Sequence, residues 1–254
     1  MHLDRLGVHM DATDIIRDAV MRVSLLRQIA ADTPGLARAV SDIKQFQARR
    51  FAGTYVDLID TERYRPAALF FLEELYSEKD YSERDSQFAR IAGALERLFP
   101  PPVVQTAVSL AHLHRLTEEL DLAMAQSWMI HADTQEVARY IAAWRAVDRR
   151  SDRNMQLAAV LDVGHELDAL THTLGLRIML KMMRGPANLA GMGSLQRFLE
   201  SGFDTFAAMG RKGDGAAYFL DTVSSRESGL IDRLFDTSAV ACETEITQLL
   251  GQPR

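Results

Sequence analysis

RFAGTYVDLIDTERYRPAALFFLEELYSEKDYSERDSQFARIAGALERLF, residues 50–99, decides the fold class. Pro66 suits the first turn of a helix, where its missing N–H costs nothing. Leu69, Phe70, Phe71, Leu72 and Leu75 follow. Phe71 and Leu75 are four apart, as are Leu72 and Tyr76, so the apolar surface is wide and the helix mostly buried. A second helix starts at Ser82, where Ser82-Glu83-Arg84-Asp85 fits a capping box. Phe88, Ile91, Ala92, Leu95, Leu98 and Phe99 then recur at steps of three and four. Lys79 and Asp80 fill the turn between them, and the spacing predicts an antiparallel helical hairpin.

The same period continues on both sides. Asp11 or Thr13 caps a helix running to about Ala31. A second predicted helix spans Leu36 to Ile59, with Lys44, Arg49 and Arg50 on its wet side. Pro100, Pro101 and Pro102 form a rigid corner before a long helix ending near Ile130. Asp133-Thr134-Gln135-Glu136 opens the next helix, and the polar run Asp148–Arg153 reads as a turn or a domain seam. A long helix follows from about Asn154 to Met183, ended by Gly185-Pro186. Leu195–Met209, Ala216–Phe235 and a short helix ending at Leu250 complete the chain. No alternating strand pattern occurs. The sequence therefore predicts an all-α, multi-helix bundle of about nine helices. It is either one compact domain or two closely packed halves, residues 1–150 and a Gly- and Met-enriched 151–254.

Composition excludes several classes. Apolar residues make up 47% and charged residues 25% of the 254, the balance of a folded globular protein. The net charge of −6 is spread evenly: residues 1–100 hold 14 basic and 16 acidic groups, and the remainder 15 and 19. Without a basic face, phosphate-driven nucleic-acid binding is not expected. Cys242 is the single cysteine, so an internal disulfide is impossible and no zinc-type spacing exists. No signal-peptide core and no apolar run of about 18 residues is present, which points to a cytoplasmic protein without a transmembrane segment.

The Phe70-Phe71-Leu72-x-Glu74-Leu75-Tyr76 segment, followed by Arg84-Asp85, resembles a bacterial family of uncharacterised helical proteins. The likeness continues into LAHLHRLTEELD, which contains His112 and His114, and more weakly into LQRFLESGFDTFAAM. The resemblance implies an all-helical fold. It implies no reaction and transfers no catalytic residue.

Three groups of residues are candidates for chemistry or binding. His114, Glu118 and Asp121 share one helix face at i, i+4 and i+7. Asp162, His165, Asp168 and His172 form a second polar edge. If the edges converge, His114, Glu118, Asp121, His165, Asp168 and His172 are metal-ligand types, suited to iron or manganese. The pattern departs from the usual Glu-x-x-His pairs, and a solvated edge gives the same spacing. The second group is an ion-pair node near the hairpin turn: Glu73, Glu74, Arg84 and Asp85 with Tyr76 and Tyr81. It can clamp the hairpin or hold an anionic ligand. The third is a soft apolar surface around Met179, Met182 and Met183, interleaved with Arg177, Lys181 and Arg184. Phosphate-binding glycine loops and nucleophile elbows are absent, and Cys242 reads as a small buried hydrophobe.

Two functions follow as expectations. The first is a non-catalytic helical protein that binds a partner protein or an apolar small molecule, as a homodimer. Its ligand contacts would include Arg84, Glu74, Tyr76, Met179 and Met183. The alternative is a metal-dependent bundle enzyme of oxidoreductase type, built on the six His and carboxylate residues.

Overall fold

The computed structural model describes residues 11–75, 82–98, 100–132, 134–189, 193–210 and 215–251. All regular structure among them is helical. The elements are α1 (Ala12–Asp32), α2 (Leu36–Thr54), α3 (Val56–Asp60), α4 (Arg65–Leu75), α5 (Ser82–Leu98), α6 (Pro101–Ile130) and α7 (Glu136–Val147). Then come α8 (Arg150–Thr171), α9 (Leu176–Met182), α10 (Arg184–Leu189), α11 (Gly193–Gly210), α12 (Gly215–Asp236) and α13 (Ala239–Leu250). Eleven are seven residues or longer, against about nine expected. The additional segments arise where long predicted helices break.

Two of these breaks have local causes. The expected helix over Leu36–Ile59 divides at Tyr55, whose ψ of 23° leaves the helical region. The expected helix over Asn154–Met183 ends at Thr171, and Gly175 turns the chain at φ 79° before α9. α9 ends at Met182, where the helix ahead of Gly185-Pro186 is expected to end, and Pro186 then lies in the first turn of the separate α10. At the N-terminus, the Asp11 carboxylate accepts from the Asp14 amide at 2.8 Å, the cap that its sequence position predicts.

The long α6 is the axis of the molecule. It packs against α1, α2, α7 and α8, and α8 packs in turn on α11 and α12. The main core joins Leu26, Ile43, Phe46, Trp128 and Tyr140 to Leu230, Leu234 and Ile246, so both sides of residue 150 share it. Phe46 stacks on Tyr140 with centroids 4.2 Å apart. A second cluster gathers Phe51, Tyr55, Phe71, Phe206 and Phe219. Smaller clusters sit between α1, α5 and α6, and between α8, α9 and α11.

Among the described residues α4 and α5 do not pack on each other as the predicted hairpin would: α5 lies along α1, whereas α4 lies on α3 and α11. The width of the α4 apolar surface explains this. Phe70 stacks on Phe198, and Phe71 meets Phe206 and Phe219, so α11 and α12 take the surface assigned to α5. Gly53 sets the close approach of α2 to α13: a Cβ there would overlap the Leu249 carbonyl.

Candidate functional site

Three of the apolar clusters leave a cavity of about 140 Å³ where they meet. Its walls are apolar. Phe70 and Phe71 come from α4, Leu110 and Leu113 from α6, Val163 and Leu167 from α8, and Phe198 and Phe203 from α11. Leu176 and Leu180 of α9 also line it. Polar groups gather among the remaining lining residues: Lys44, Arg84, Asp85, His114, Thr117 and Glu118.

That polar group is built from ion pairs between helices distant in sequence. Lys44 Nζ on α2 lies 2.7 Å from Glu118 Oε1 and 3.5 Å from Asp121 Oδ2 on α6. Arg27 of α1 lies 2.9 Å from Asp85 Oδ2 and 3.9 Å from Glu118 Oε1. His114 Nε2 is 3.0 Å from the same Asp85 oxygen. Arg84 sits 4.0 Å from Asp85 Oδ1 and spreads over the Phe198 ring at 4.7 Å. Gln156 of α8 donates to the Thr117 hydroxyl at 2.9 Å, and Gln47 donates to Asp121 Oδ1 at 3.2 Å.

The carboxylates are not equivalent. Burial disfavours the charge of Asp85, but the His114 bond and the Arg27 and Arg84 charges outweigh it and hold the carboxyl below its usual range. Glu118 is likewise buried, and Lys44 chiefly holds it low, with Arg27 adding to the effect. Asp121 is pushed up by burial, because the ammonium that lies near it lies nearer Glu118. Lys44 loses to burial but gains more from Asp121 and Glu118, so its pKa is raised. Lys44 and ionised Glu118 thus form the charged pair, and Asp121 is the carboxyl biased toward its neutral form.

The candidate ligands from the two long helices separate here. His114 faces Asp85, while Glu118 and Asp121 face Lys44. His165 is exposed, and His172 falls outside α8 in the exposed turn after it. Asp168 is half-buried. Although α6 and α8 are neighbours, no three His, Cys, Asp or Glu residues come close enough to hold a metal ion among the described residues. Of the hairpin node, Arg84 and Asp85 are at the cavity. Tyr76, Tyr81 and the Glu74 side chain lie outside the described residues. Met179 and Met183 are half-buried, whereas Leu174 is 99% and Leu189 92% exposed, with Ile178 and Met182 also open. Cys242 is buried, its Sγ donating to the Arg233 carbonyl at 2.9 Å.

Lys44 and Arg50 do not lie on the wet face of α2 that their charge predicts. Both turn inward. Ile43, Phe46, Gln47 and Arg50 follow one another at steps of three, one and three on the buried stripe. Arg50 bonds Glu227, which also accepts from the Tyr55 hydroxyl at 3.0 Å. The available signal was this stripe position for Gln47 and Arg50, together with acids elsewhere in need of partners.

Residues 26–241 match a family described as a domain of unknown function, DUF8198. The chain belongs to that family. No curated protein and no solved structure matches it. The resemblance to an uncharacterised helical family therefore agrees with DUF8198 membership, and the matched span takes in α2 to α12 and all of the cavity lining except Ala19 and Val20 of α1. Among the described residues of this DUF8198 protein, no helix is long and apolar enough to cross a membrane.

Proposed function

We propose that this protein is a cytoplasmic helical binding protein that holds a small apolar molecule in the cavity between α4, α6, α8 and α11. The observation that carries the reading is an apolar-walled space of about 140 Å³ next to a buried group of paired charges. Space of this kind is costly to leave inside a core, since each missing contact is lost dispersion and burial. An apolar cavity of about 150 Å³ accommodates a benzene-sized molecule. The occupant is therefore a single ring or a short branched chain, not a long lipid.

Calorimetric titration with benzene and toluene tests the proposal. Binding with a dissociation constant on the order of 1 mM or tighter is expected, corresponding to about −4 kcal/mol for six or seven heavy atoms. Leu110→Trp, which fills the space from α6, is expected to abolish it without unfolding the protein. Equal binding to the wild type and Leu110→Trp would refute the cavity as the site.

A second reading rests on Ile178 and Met182, exposed four residues apart on α9, with Leu174 before it and Leu189 of α10 also exposed. Contiguous exposed apolar surface marks protein contacts. These residues would form the surface on which a second copy docks to give a homo-oligomer. Native mass measurement of wild type against Ile178→Asp/Met182→Asp tests it. A dimer lost in the variant supports this reading, and a monomeric wild type opposes it.

A further inference from the structure

We infer that the cavity selects an apolar molecule bearing one hydrogen-bond donor, a phenol or a small cyclic alcohol, and that His114 Nδ1 accepts from its hydroxyl. The inference rests on the cavity reading above and specifies the class of occupant.

The chemistry starts with Asp85. Its carboxyl is ionised, with Arg27 at 2.9 Å, so it can only accept hydrogen bonds. The 3.0 Å contact therefore requires a proton on His114 Nε2. In the neutral ring the remaining nitrogen, Nδ1, is an acceptor. No group among the described residues donates to it. His114 lines the cavity, and its side chain is 23% open, against 6% for Asp85.

The other polar groups nearby are engaged within the protein. The Lys44 ammonium is on Glu118 and Asp121, and the Arg84 guanidinium lies on Phe198 beside Asp85. Thr117 already accepts from Gln156. An imidazole fixed in one tautomer by an ionised carboxylate and set among apolar walls answers a hydroxyl better than it answers a carbonyl. The cavity volume limits the rest of the molecule to about one ring.

The test compares toluene, phenol and benzaldehyde, which share a ring and differ in having no polar group, a donor, or only an acceptor. By calorimetry at neutral pH, phenol is expected to bind about fivefold more tightly than toluene, the worth of one net hydrogen bond. His114→Phe keeps an aromatic ring in place and is expected to remove that advantage while toluene binding persists. Asp85→Asn no longer obliges the proton to stay on Nε2 and is expected to narrow it. Phenol no better than toluene in the wild type overturns the inference but leaves the cavity reading intact. Toluene failing to bind at all sinks the cavity reading itself. An advantage that survives His114→Phe and disappears in Glu118→Gln assigns the acceptor to Glu118 and overturns the role of His114. Benzaldehyde preferred over phenol overturns the donor assignment. Because the toluene–phenol comparison uses the wild type, it stands even if a variant fails to fold.

Discussion

Replacing Lys44 by methionine removes an ammonium that faces both buried α6 carboxyls. It lies 2.7 Å from Glu118 and 3.5 Å from Asp121, and these residues are 7% and 2% exposed. Removing one partner of a buried pair costs about 3–5 kcal/mol, most of it from the charge left behind. Two features of the site place Lys44→Met at the lower end. Burial raises the pKa of Asp121, so it is the carboxyl that more readily takes up a proton once the ammonium is gone. Glu118 also keeps Arg27 at 3.9 Å. The expected loss is about 3 kcal/mol, or on the order of 10 °C in Tm for a chain of this length. Urea denaturation followed by circular dichroism at about pH 7 measures it. The double variant Lys44→Met/Glu118→Gln, in which Glu118 no longer carries an orphaned charge, is expected to recover more than half of the loss. A single-variant cost below about 1 kcal/mol, the value of an exposed pair, would falsify the claim that this network is buried and coupled.

Acid should act on the same group. Asp85 and Glu118 have native pKa values below their ordinary 3.8 and 4.5, so their stabilisation is complete above about pH 5 and is lost as pH falls through the native values. Asp121 has the opposite sign: its raised pKa means that its ionisation costs stability as pH rises past 3.8. Asp121→Asn is accordingly expected to cost less than Asp85→Asn at about pH 7, read by urea midpoints. Tyr55→Phe deletes the 3.0 Å bond to Glu227 and is expected to cost about 2 kcal/mol, the range for a bond to a charged acceptor, by the same measurement. Gly53→Ala forces a methyl into the Leu249 carbonyl and is expected to cost about 3 kcal/mol in thermal denaturation, because backbone, not a flexible side chain, must move.

The fold class was legible because helical periodicity is a local signal, repeated from Ile16 on α1 to Ile246 on α13. Caps such as Asp11 and first-turn prolines such as Pro66 were legible for the same reason. The partners of each face were not. Nothing in residues 66–75 says that the second side of α4 meets Phe198 of α11 and not α5. The candidate site was half visible. His114, Glu118, Asp121, Arg84 and Asp85 were singled out by type and spacing, and they surround the charged group. Their partners Arg27 and Lys44 were missed because a cation on a helix reads as solvated unless the facing helix is known. The cavity is a relation among eight helices, so no single stretch of sequence contains it.

The most direct test of the account is a crystal pressurised with xenon or soaked in benzene. One ordered ligand is expected among Leu110, Val163 and Phe203, and none there in Leu110→Trp. An unoccupied, collapsed space, or one filled by a chain of ordered waters, would contradict the account.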